Sequence, residues 1–194
     1  MNLTLQSAPA AHPVSLADAK AHLNVDHDED DDLITACLDA AVGHLDGVAG
    51  VLGRALVTQT WDQSIDDFPY GDDLPLFLAP VTSVTSITYR DMAGDTQTLT
   101  ADAYMLRQRH GLTWVHLKDS YTWPETDDEP NAVTVRFVAG YGDDEDVPGP
   151  LRAAIKLHIG HLYENREAVN VGNIVTEFPM GYDALIAPYR VRRF

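Results

Sequence analysis

VRFVAGYGDDEDVPGPLRAAIKLHIGHLYENRE, residues Val135 to Glu167, contains the change of texture that decides the fold. Upstream of it and into it, Val133, Val135 and Phe137 alternate as one face of a strand does. Gly140 and Gly142 follow, and glycine takes backbone angles that other residues resist, so the strand ends in a turn. Pro148 and Pro150 then stand where a missing amide hydrogen does no harm, at a helix start, and Leu151, Ile155 and Leu162 recur at helical spacing. The chain therefore leaves a sheet and enters a long helix at this point.

On the N-terminal side of this junction the chain reads as β structure. Leu56, Thr58 and Thr60 alternate with Val57, Gln59 and Trp61, and Pro69 to Asp73 has turn composition. Leu76 to Leu78, Val81 to Tyr89, Thr96 to Thr100, Tyr104 to Leu106, Leu112 to Leu117 and Ala132 to Val138 are further candidate strands, with Ala93-Gly94-Asp95 as a hairpin turn. Residues 1 to 13, with Pro9 and Pro13, suit an extended arm. Ser15 followed by Asp18 is a variant of the capping box and predicts a short helix to Leu23. A second helix, Asp32 to Leu52, carries Leu33, Cys37, Ala41, Leu45, Val48 and Leu52 at steps of three and four, with Gly53 placed to end it. Gly43, Gly47 and Gly50 each cost such a helix about 1 kcal/mol against alanine. Close helix packing is the preferred account of their presence, and a broken C-terminal half is the other. After the late helix, Ala168 to Met180 reads as a loop, and Tyr182 to Ile186 as one or two helical turns stopped by Pro188.

The expected class is thus α+β: a helical bundle of the N-terminal and late helices with an inserted small antiparallel β unit. The expected division is 1–54 for the arm and N-terminal helices, 55–142 for the β unit, and 143–194 for the late helix and tail. The last part is expected to pack with 14–54 as one helical domain.

Charge narrows the function. Of 194 residues, 30 are acidic and 13 are Lys or Arg, a formal net charge of -17. Phosphate affinity comes from cationic side chains, so stable nucleic-acid binding is not expected. The imbalance is uneven: residues 1–150 hold 26 acids and 7 bases, whereas 151–194 hold 4 acids and 6 bases. Such a gradient is usually a solvated face, but a cationic tail ending Tyr189, Arg190, Arg192, Arg193, Phe194 also suits docking to an acidic partner. Cys37, the single cysteine, excludes an internal disulfide and sits among apolar neighbours, as a small buried hydrophobe does. No signal-like N-terminus or membrane-length apolar run is present, which predicts a protein made in the cytoplasm.

Catalytic signatures are weak. Asp26, Asp28, Asp30 and Asp32 alternate like a calcium loop, yet the sixth and twelfth positions counted from Asp26 hold Asp31 and Cys37 instead of glycine and glutamate. Acids there complement the dipole of the next helix instead. His158, His161 and Glu164 lie loosely along one side of the late helix and are the candidate zinc ligands of a metal-dependent hydrolase, the alternative function; their spacing is not that of HExxH. AGYG has too few glycines for a nucleotide loop and is followed by acids. The acid pair Asp66 and Asp67 is uninformative among so many carboxylates. No cofactor is expected.

Several pieces in order, HPVSLADAKAHLNVD (12–26), GRALVTQTW (53–61), WDQSIDDFP (61–69), PVTSVTSITYRD (80–91), VRFVAGYG (135–142) and LYENRE (162–167), resemble the head-tail connector (adaptor) proteins of tailed phages and gene transfer agents. The resemblance implies a structural protein, not an enzyme. Its copies, commonly twelve, form a ring beneath the portal protein, extend the DNA channel and offer a platform to a stopper or tail completion protein. DNA would pass without specific binding, since an acidic wall repels it. In these terms Asp32–Leu52 and the late helix form the ring, the β unit is peripheral, Glu164 and Arg166 of YENRE join a subunit contact, and the tail from Tyr182 to Phe194 docks on the portal. The protein would reside in the host cytoplasm during assembly and then in the particle neck.

Overall fold

A computed structural model describes residues 1–109, 111–165 and 180–191. The chain divides into two compact units: residues 11–57 with 142–194, and residues 1–10 with 58–141. The first is helical and the second is built of strands.

In the helical unit, α1 (Leu16–Leu23) starts at Ser15, whose Oγ accepts a hydrogen bond from the Asp18 amide at 3.0 Å. It ends at Asn24, in the left-handed region at φ 58°, which asparagine tolerates better than most residues. α2 (Asp31–Leu45) opens with Asp31 and Asp32 at the positive end of its dipole. It buries Ile34, Cys37, Leu38, Ala41 and Leu45 along one stripe. α3 (Gly149–Glu164) answers with Leu151, Ala154, Ile155, His158 and Ile159, and it packs on α1, on α2 and on the short helix α4 (Met180–Ile186).

The predicted helix to Leu52 stops at Leu45. Asp46 turns to an extended conformation and its Oδ1 accepts from the Leu56 amide at 2.6 Å, while Gly47 and Gly53 adopt φ of 75° and 63°. At Gly50 a Cβ would collide with the main-chain carbonyls of Leu45 and Asp46. Of the three glycines predicted within one helix, two make a tight turn necessary and Gly43 alone is helical. Leu52 and Leu56 keep their apolar spacing because both are fully buried within the turn and the segment after it.

The strand unit holds β1 (Asn2–Ser7), β2 (Gln59–Ile65), β3 (Asp73–Leu76), β4 (Val81–Arg90), β5 (Thr96–Thr98), β6 (Tyr104–Arg109), β7 (Leu112–Leu117) and β8 (Val133–Ala139). They form two antiparallel sheets, ordered β1-β2-β8-β4-β5 and β3-β7-β6. β8 lies at the centre of the larger one, with Val133, Val135, Phe137 and Ala139 all buried. Between them, Arg136 meets Asp62 of β2 in register and binds it through two hydrogen bonds of 2.8 Å, a bidentate pairing that holds this register. Gln63 of β2 ties the second sheet on: its amide donates to the Pro75 carbonyl at 2.7 Å, and its Oε1 accepts from the Phe77 amide at 3.1 Å. The hairpin at Ala93-Gly94-Asp95 forms as predicted, with Gly94 at φ 84° and Asp91 Oδ1 accepting from the amides of Ala93 and Asp95. Residues 2–7, expected as an arm of the helical part, are instead an outer strand paired to β2.

Candidate assembly surfaces

Residues 189–191 are held against the segment 52–54. Arg54 Nε donates to the Tyr189 carbonyl, and the Val191 amide donates to the Leu52 carbonyl at 2.9 Å. Arg190 pairs with Asp183 at 3.0 Å, both side chains being well exposed. Tyr189 and Arg190 therefore belong to a turn fastened to the helical unit. Arg192, Arg193 and Phe194 lie outside the described residues.

The three candidate metal ligands on α3 do not converge. His158 is buried, and its ring meets those of His44 from α2 at 5.3 Å and Tyr182 from α4 at 5.6 Å, both edge-on. Burial, with the neighbouring charges of His44 and His161, pushes its pKa down from 6.5 to about 4, so the ring is neutral at physiological pH. Tyr182 is pushed up to about 12, chiefly by burial and then by Asp183. His161 lies at the helix end, where Asn165 donates to its carbonyl at 2.9 Å, and Glu164 is exposed. Among the described residues no group of three metal-ligating side chains forms. His158 instead fastens α4 to α2 and α3. Arg166, the other predicted contact residue of YENRE, lies outside the described residues. Tyr163 of the same motif does have a visible role: its hydroxyl donates to Asp30 Oδ2 at 2.5 Å, joining α3 to the start of α2.

The acidic run ahead of α2 is clamped by Lys20, whose Nζ lies 2.6 Å from carboxylate oxygens of both Asp28 and Asp31. The hydrogen bonds to Lys20 hold the Asp28 carboxyl below its ordinary range. Cys37 is buried in α2.

One feature escaped the reading of the sequence. In the strand unit, Asp66 to Tyr70 and Trp123 to Asp128 line a cleft of about 530 Å³. Phe68 stacks on Trp123 with ring centres 4.7 Å apart and planes within 10° of parallel, and the Trp123 indole donates to the Gly71 carbonyl at 2.8 Å. Asp67 accepts from Thr126, Asp66 from the Asn131 amide, and Asp127 pairs with Arg90 at 2.7 Å. These bonds fix the walls. Tyr70 and Met92 stand fully and largely exposed at its mouth, at 113% and 68%.

The sequence model of phage gp6-like head-tail connector proteins matches residues 13–100. No curated protein sequence matches the chain. Among solved structures, a chain in the neck of an empty gene transfer agent particle, computed with C6 symmetry, superposes with a TM-score of 0.78 at 24% identity, covering 100% of this chain and 97% of that one. A chain in the virion of a native gene transfer agent particle gives 0.79 at 23% over the same coverage. One in the neck of a native particle computed with C12 symmetry gives 0.76 at 22%, again with 100% and 97% covered. The matched family is one of structural connectors, not enzymes. Over residues 13–100 the chain thus matches the phage gp6-like head-tail connector family, and over its whole length it shares the fold of chains found in gene transfer agent particles.

Proposed function

We propose that this chain is the adaptor that forms a ring under the portal protein of a tailed phage or gene transfer agent particle, extends the DNA channel and docks the stopper or tail. The observation that carries the reading is the agreement between the connector-family match over residues 13–100 and the fold match over 100% of the chain. A ring of twelve copies is consistent with the C12 symmetry of one matched neck. The net charge of -17 favours a wall past which DNA slides, because like charge repels phosphate.

Within the ring, α2 and α3 supply the contacts between copies, joined by Glu164 at the end of α3 and by Arg166. The tail beyond Val191, with Arg192, Arg193 and Phe194, reaches the portal, where arginine forks match carboxylates. Tyr189 and Arg190 set the direction from which it leaves. Assembly takes place in the host cytoplasm, and the finished ring stays in the neck. No metal or cofactor takes part.

Electron microscopy of particles from a host lacking only this gene tests the proposal. Filled heads without tails, beside free tails, are the expected result. Normal tailed particles would remove the adaptor reading.

A further inference from the structure

The strand unit carries two surfaces of opposite charge that the connector fold does not explain. It holds thirteen acids and only five bases. Three of the five bases are occupied: Arg90 by Asp127, Arg136 by Asp62, and Lys118 by the Asp102 carbonyl. The other two, Arg107 and Arg109, stand two residues apart on β6, hence on the same side of the strand, together with exposed Met105. Both are exposed, and neither has an ion pair among the described residues. Among the described residues β6 pairs with β7 alone, so it is an outer strand of its sheet.

The cleft is the counterpart. Glu125 and Asp128 are exposed in its wall and likewise have no ion pair among the described residues. It adjoins β3, the opposite outer strand of the same sheet, since Trp123 is bonded to Gly71 just ahead of Asp73. Tyr70 and Met92 at the mouth offer a π face and an apolar surface, which suit a guanidinium and the side chain of a methionine.

We propose that the cleft of one copy receives β6 of the next copy, with Arg107 and Arg109 facing Glu125 and Asp128, and Met105 against Tyr70 and Met92. The inference rests on the ring reading. In a ring, each copy meets its two neighbours through two different surfaces, and those surfaces must complement each other. A cationic strand and an anionic cleft on opposite edges of one sheet meet that requirement, whereas a two-fold contact between two clefts or two β6 strands would set like charges together. The strand unit is then a second contact between copies, beyond the one made by the helices.

The test uses two charge-reversed chains in a host lacking the native gene: Arg107→Glu with Arg109→Glu, and Glu125→Arg with Asp128→Arg. Each alone is expected to lower the yield of tailed particles by about tenfold or more, because the reversed surface meets its own charge. Supplied together they alternate around the ring and restore the yield. Thermal melts matched to the native protein confirm that each variant folds; if the acidic β6 variant does not fold, Arg107→Ala with Arg109→Ala replaces it. Native yield from the β6 variant overturns the proposal. Loss from the cleft variant alone would show that the cleft takes another protein's cations, and two losses without mutual rescue would show that the surfaces are not partners. Normal tails in the deletion host would defeat the ring reading itself, and the contact with it.

Discussion

His158 should make the helical unit acid-sensitive by a calculable amount. The ring is neutral in the fold because it is buried between His44, Tyr182 and its own helix, which holds its pKa near 4 against an ordinary 6.5. Each tenfold change in proton affinity is worth about 1.4 kcal/mol. Between these two values the unfolded chain binds the proton and the folded chain does not, so stability rises with pH there. The contribution is fully present above pH 6.5, is lost as pH falls, and is gone below about 4. From pH 7.5 to 4.5 the loss comes to about 2–3 kcal/mol. Urea unfolding followed by helical circular dichroism at the two pH values measures it, since the tryptophans, Trp61, Trp114 and Trp123, all lie in the strand unit and report separately. Many carboxylates begin to titrate in the same range, so the comparison is with His158→Leu, similar in size and uncharged. The native protein should lose about 2–3 kcal/mol more than the variant on acidification. Parallel pH profiles for the two would refute the argument that burial keeps this ring neutral.

Gly43→Ala, in a helical position with open space around it, should stabilise the helical unit by about 1 kcal/mol, whereas Gly50→Ala should destabilise it, because its Cβ meets main-chain carbonyls; opposite shifts in melting temperature are the check. Phe137→Ala should cost about 3–5 kcal/mol through the cavity left in the central strand, read by tryptophan fluorescence, since Trp61 is its cross-strand partner. Replacing Arg192 and Arg193 with alanine should weaken binding to purified portal protein while leaving the melting temperature of the free chain unchanged; undiminished binding would refute the tail assignment.

The passage from strand to helix was legible because both periods are strong there: Val133, Val135 and Phe137 at a spacing of two, then Leu151 and Ile155 at a spacing of four. The end of α2 was not, since Val48 and Leu52 continue the helical spacing while the glycines turn the chain. β1 was missed because NLTLQS has few of the residues that favour strands, and its pairing with β2 spans more than fifty residues. The cleft and the His44–His158–Tyr182 cluster were invisible for the same reason: each is assembled from segments far apart in the chain. His158 was singled out for its neighbours along one helix, and the fold gave it different ones.

The position of β8 has a consequence for how this protein is made. A chain still on the ribosome, synthesised as far as residue 130, contains α1, α2 and strands β1 to β7, yet it lacks the strand that joins β2 to β4 and the helix on which α1 and α2 pack. Neither unit can close its core until Val133 to Glu164 has emerged. Synthesis of residues 133–164 thus completes both units, and an early stop codon upstream of Val133 leaves neither of them able to close its core.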